Sequence, residues 1–217
     1  MSIADKLATI AENEQKVYDA GRDDAWNFFC SKGEFAFAAK NFSLIGGFNP
    51  PFQIKPVGSA NHIFYWSQNA GVIKASDIDF SEVTNMNSAF DQTSGISEIE
   101  LMDLRNVKNF NYMLSNNYSI VTVGKIILKD DGSQTFANST FEAHWLRNIT
   151  FEGKIGANVS FRFCSGLTYE SLMSIINALK DYSGTGETRT LTLHATAKAR
   201  LSESDIATAT QKGWTIS

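Results

Sequence analysis

The stretch "NMNSAFDQTSG" at residues 85 to 95 recurs in looser form as "NHIFYWSQNAG" at 61 to 71 and "NFNYMLSNNYS" at 109 to 119. A recurrence every 24 residues constrains the fold more than any other feature, because a repeated unit this short cannot bury its own apolar face and must stack on its neighbours. Apolar-x-apolar triplets recur with it: Phe52-Gln-Ile54, Ile78-Asp-Phe80, Met102-Asp-Leu104, Ile126-Ile-Leu128 and Ile149-Thr-Phe151. Each triplet sets two side chains on one face and one on the other, which is the pattern of a very short strand. Val83 and Val107, Met86 and Phe110, and Phe90 and Leu114 repeat at the same spacing, with Trp66 24 residues ahead of Phe90. The expected result is a right-handed solenoid of short parallel strands.

Asn61, Asn85 and Asn109 fall in one column, and Asn87 pairs with Asn111. An amide can bond its own turn and the next, so the column predicts an Asn ladder that satisfies turn groups. Beyond residue 128 the spacing slips through "KDDGSQTFANSTFEAHW", which predicts one irregular rung.

Both ends change character. "YESLMSIINALKDY" places Leu172, Ile175, Ile176 and Leu179 on one face of a helix of about three turns. The loop "SGTGET", a strand at 190 to 193, a helix opened by Ser202-x-x-Asp205 and stopped by Gly213, and a last strand at 214 to 216 follow. At the amino end Ile3, Leu7, Ile10 and Val17 form a narrow apolar stripe that Gly21 ends. That stripe suits oligomerisation or docking, or a helix folded back on its own chain. The organisation expected is therefore an N-terminal helix over 1–21, a Phe-rich cap over 22–51, the repeats over 52–168, and helical C-terminal repeats over 169–217.

The repeated "IDFSEVTNMNSAFDQTSGISEIELMDLRNVKNFNYML" resembles the BspA-like leucine-rich repeats of bacterial surface proteins, over residues 52 to 120 and with more departures from 120 to 168. "TLTLHATAKARLSESDIATATQKGWTIS" and "IADKLATIAENEQKVYDAG" are similar to the closing and opening segments of repeat proteins encoded by phages and prophages. The resemblance implies an α/β, leucine-rich-repeat-like solenoid in a virion-associated protein of a tail, baseplate or fibre. Its implied partners are other virion proteins or itself, as a homo-oligomer such as a trimer, and a host surface glycan or protein. A bacterial cell-surface adhesin is the alternative, and a carbohydrate-active enzyme a more distant one. The family brings no catalytic residues and no cofactor or metal.

Composition narrows the partners. Among 217 residues, 19 basic and 23 acidic side chains give a net charge of -4, which offers no footprint for nucleic acid or an anionic membrane. Residues 1 to 30 carry charges throughout, so no secretion signal is expected, in keeping with assembly in a host cytoplasm. Cys30 and Cys164 form no metal-like cluster and read as buried thiols or one disulfide. The sequons at Asn41, Asn117, Asn138, Asn148 and Asn158 read as Asn-rich turns.

No catalytic constellation emerges. His62, His144 and His194 lie in separate repeats, the Asp pairs at 23–24 and 130–131 sit in turn-like surroundings, and "SGTGETRT" lacks the Lys of a phosphate loop. A candidate binding surface is the exposed strand face, where the middle triplet residues Asp79, Asp103, Ile127, Thr150, Thr192 and Thr215 would align, flanked by Arg105, Lys129, Glu152 and His194; the Phe-rich cap over 22–51 competes with it for protein contacts. Asp79 and Asp103, one rung apart at about 4.8 Å, would repel each other and raise one pKa.

Overall fold

The apolar positions that recur in the sequence are drawn to one interior, and the strands that carry them pair in parallel. The computed structural model describes residues 53–67, 71–137 and 139–217. The predicted amino-terminal helix with Ile3, Leu7, Ile10 and Val17, the cap over 22–51, and Cys30 lie outside the described residues. Among those described, no helix is long and apolar enough to cross a membrane.

The fold is α/β. Among the described residues nine strands run as β1 (Gly58–Ser59), β2 (Gly71–Ile73), β3 (Val83–Asn85), β4 (Ile96–Asp103), β5 (Thr122–Ile127), β6 (Asn148–Glu152), β7 (Val159–Phe161), β8 (Arg189–Leu193) and β9 (Trp214–Ile216). The helices α1 (Tyr169–Ala178), α2 (Ala195–Lys198) and α3 (Glu203–Gln211) fall in the carboxyl third. The strands form a four-stranded sheet ordered β2-β4-β5-β6, a three-stranded sheet β7-β8-β9, and the pair β1-β3. A parallel bridge from Asn85 to Asn109 carries that pair one segment further.

Two readings of the spacing are corrected. Ile54 bridges Ile78 rather than Phe80, and the register then shifts twice, to Gly58 opposite Val83 and Ser59 opposite Asn85. These shifts add two residues to the second segment, so Trp66 stands opposite Gln92, its N–H bonding the Asp91 carbonyl. Phe64 is the partner of Phe90: their rings stack with centroids 5.2 Å apart. In the other sheet Ile126 lies opposite Phe151 and Ile127 opposite Glu152, because the register also shifts between Val123 and Ile126. β4 is longer than a triplet, and it buries Ile96, Ile99 and Met102 at every third residue. A flat strand alternates at every second residue, so this strand must twist as it runs.

Phe64, Phe90, Leu114, Phe141 and Phe161 share the interior, each at most 1% exposed. Phe141 and Phe161 stack 4.7 Å apart, as Phe64 and Phe90 do. Full burial of side chains this size supplies about 1.5 to 3 kcal/mol each. The segments also approach closely at Gly156, where a Cβ would come within 2.0 Å of the Gly132 carbonyl oxygen. No side chain fits there.

The open edge of the four-stranded sheet is closed by α1. Ser171 and Ser174 accept the β6 amides of Ile149 (3.0 Å) and Phe151 (2.9 Å), which removes two free donors from an edge strand. α1 forms because Thr168 caps it by accepting from the Ser171 amide and because Leu172, Ile175 and Ile176 share a buried face. α3 starts at the reciprocal Ser202 and Asp205 capping box, and Gly213 follows it at φ +82. Asp205, with Ser202 donating to its carboxylate, is held below the usual carboxylate range. Cys164 is a free, buried thiol that donates to the Phe141 carbonyl, and burial pushes its pKa up to about 12.

Candidate functional site

The strand face named from the sequence is divided between structures. Asp103, Ile127, Thr150 and Glu152 belong to the four-stranded sheet, and Asp103, Ile127 and Glu152 form one row across it. Thr150 lies off that row and donates to the Gly124 carbonyl. Thr192, His194 and Thr215 belong to the three-stranded sheet or its exit, not to the same face. Thr192 meets Ser217 at 3.1 Å, and His194 is spent as the cap of α2, its Nδ1 accepting the Thr196 amide at 3.1 Å. Asp79 lies outside the named strands and accepts the Ser81 amide in its own turn, at 2.9 Å.

Two ion pairs stand on this face. Arg105 grips Asp103 with Nε at 3.0 Å and a terminal nitrogen at 2.5 Å, and Lys125 pairs with Glu152 at 3.1 Å. The Arg105 bond holds Asp103 below the ordinary carboxylate value, so the expected carboxylate pair with a raised pKa is overturned: the nearest charge is a cation. Lys129 is exposed, with its amide bonded to Gln134 at 2.9 Å. Beside the face, a recess of about 490 Å³ lies between β6 and α1, lined by Phe151, Lys154, Glu170 and Met173 among others. Its single lining carboxylate does not make the pair that glycoside hydrolysis requires.

A different surface emerges where the chain turns. Among the described residues, the non-glycine residues at positive φ are His62, Trp66, Ser88, Gln92, Tyr112 and Asn116. They form two matched positions, four residues apart, in three successive turns. Left-handed backbone costs an L-residue about 1 to 2 kcal/mol, and the cost is borne at Trp66 and Tyr112 because each turn is bonded to the neighbouring one. His62 and Phe64 donate to Asn87 and Ala89, and Ser88 and Phe90 donate to Asn111 and Met113.

The ladder inside this turn is not the Asn85 column. Asn61, Asn85 and Asn109 are only half-buried, and Asn61 meets Asn87 at 2.9 Å rather than Asn85. The buried ladder runs one step further along. Thr93 donates to the Phe64 and Phe90 carbonyls, and Asn117 to the Phe90 carbonyl at 3.3 Å. Asn117 also accepts the amides of Ser119 (3.1 Å) and Ile120 (2.8 Å), which fixes the backbone on either side of Tyr118.

Tyr118 stacks on His144 with centroids 4.6 Å apart and planes 8° from parallel, and His144 meets Phe163 at 5.2 Å. Arg162 lies 4.5 Å over the Phe163 ring and pairs with Glu142 at 3.4 Å. The other Glu142 oxygen accepts the Ser115 hydroxyl at 2.9 Å. Trp66, Tyr112, Tyr118 and Trp145 are each more than half exposed. Nearby Asp91 is buried, which raises its carboxyl pKa against the opposing hydrogen bond from Asn116.

The sequence reading missed this edge. The repeat held a partial signal: the apolar column takes Phe64, Phe90 and Phe110 into the core, whereas Tyr112 and Tyr118 fall outside it. Among the described residues no three His, Cys, Asp or Glu side chains gather as a metal ion would need. No protein-family model, no curated protein and no solved structure matches this chain.

Proposed function

We propose that the chain is a non-enzymatic recognition protein of a phage or prophage particle, in which a right-handed, leucine-rich-repeat-like solenoid presents a surface to a host receptor. The observation that carries this reading is the turn that recurs at His62 to Trp66, Ser88 to Gln92 and Tyr112 to Asn116 with the same two left-handed positions. A turn conserved in shape while its exposed side chains vary is the arrangement by which repeat proteins separate a constant scaffold from a variable binding surface. The parallel strands and stacked Phe64 and Phe90 fit such a scaffold. Ion-paired charges and a recess with one carboxylate favour binding over hydrolysis.

The assembly partners in this reading are other virion proteins or further copies of the chain, through the stripe Ile3, Leu7, Ile10 and Val17. The test is to purify particles after lysis of the encoding strain and look for the chain by mass spectrometry. It is expected in the particle fraction at fixed stoichiometry. Its absence there, with presence on intact cells before lysis, would move the assignment to a surface adhesin.

A further inference from the structure

We propose that the turn edge at Tyr118 binds a neutral carbohydrate, a pyranose ring seating on the open face of Tyr118. The inference rests on reading the chain as a recognition protein and goes on to name the ligand class. One face of Tyr118 is covered by His144, yet the residue is 59% exposed, so its other face looks into solvent. On that side the register places Ser94, a small exposed residue, one segment back. The stack of Phe163, His144 and Tyr118 therefore ends at Tyr118 on this side. Trp145, the residue after His144 in the chain, is 57% exposed in the same turn. Exposed aromatic faces of this kind match the C–H face of a sugar, and Ser94 supplies a hydroxyl at the rim.

Three features select the ligand. Arg162 is committed to Phe163 and Glu142, and Glu142 to Ser115 as well, so the two charges placed beside the ring stack are already paired with each other. An added peptide strand would need free backbone groups, but here the Asn117 amide bonds Glu142, the His144 amide bonds Asn117, and the Ser119 amide bonds the Asn117 side chain. Finally, the buried Asn117 holds the Tyr118 backbone before any ligand arrives, which lowers the ordering cost of binding.

The experiment is native electrophoresis of the full chain through gels carrying dextran, galactomannan or β-1,3-glucan, with alginate as the anionic control. Retardation by at least one neutral polymer is expected, weakened roughly ten-fold by Tyr118→Ala and largely kept by Tyr118→Phe. Trp145→Ala should weaken it too, and both rings are exposed enough that thermal unfolding should confirm a folded variant. No retardation by any neutral polymer, retardation by alginate alone, or retardation unchanged in Tyr118→Ala would overturn the proposal. A chain found in particles that binds none of the polymers sinks this inference and leaves the particle assignment standing. A chain absent from particles that still binds through Tyr118 does the reverse.

Discussion

Between residues 60 and 117 the chain reverses direction through turns; between 169 and 213 it does so through helices. A helix satisfies most of its own backbone groups and needs only caps, which Thr168 and the Ser202 and Asp205 pair provide. A turn leaves inward carbonyls unpaired, and here Thr93, Asn117, Thr140 and Gln134 reach in to meet them. Among the described residues the rings more than half exposed all stand at turns, although Tyr169 at the start of α1 is itself 45% exposed. Trp214 and Tyr182 are buried at the helical end, while Trp66, Tyr112 and Tyr118 stand outside the turns. Helical reversal closes the fold, and turn reversal displays side chains.

The strongest way to break this comparison is to empty each region in turn. Phe90→Ala and Trp214→Ala should each cost about 3 to 5 kcal/mol, since both side chains are almost fully buried and Trp214 also donates to the Lys180 carbonyl. If one continuous core joins the regions, each variant shifts a single calorimetric transition. Two separated transitions would show that the helical end folds alone.

The ladder gives a finer contrast. Asn117→Ala should destabilise by about 1 to 3 kcal/mol, the cost of orphaned buried groups, measured by urea unfolding. Asn85→Ala, at a half-buried site whose side chain accepts the Asn87 amide at 3.0 Å and reaches Ser59 at 3.4 Å, leaves groups that water can reach and should cost less, about 0.5 to 1 kcal/mol. Equal losses would restore the Asn85 column to the role read from the sequence. At the helical end Ser202→Ala removes a cap and should cost about 1 kcal/mol.

The smallest effect concerns pH. Arg105 lowers the folded Asp103 pKa below its ordinary value of 3.8, so the pair's contribution is present above 3.8 and fades as pH falls through the lower folded value. Arg105→Ala should therefore melt slightly below wild type at pH 7, with the gap closing in acid. A gap that does not narrow as the pH is lowered would assign it to packing.

Much of the fold was legible, and the failures have causes. The helix with Leu172, Ile175 and Ile176, the capping box at Ser202 and the stop at Gly213 depend on local spacing, which a single sequence displays. The pairing of Trp66 depends on two register shifts, and nothing local in "PVGSANHI" announces them. The candidate site failed for a related reason. A column of triplet centres assumes one continuous sheet, whereas α1 ends the first sheet at β6 and the remaining strands form another. Asp103 was legible as the charged centre of its triplet, but its side chain is largely covered and is gripped by Arg105 two residues on.

The most direct test of the account sets its two surfaces against each other. Fluorescently labelled full chain, bound to cells of the encoding species and read by flow cytometry, would be compared with Tyr118→Ala/Trp145→Ala on the turn edge and Asp103→Ala/Ile127→Ala on the sheet face. The account predicts that the turn-edge pair loses binding and the sheet-face pair keeps it. Loss confined to the sheet-face pair, or no binding by the unaltered chain, would contradict it.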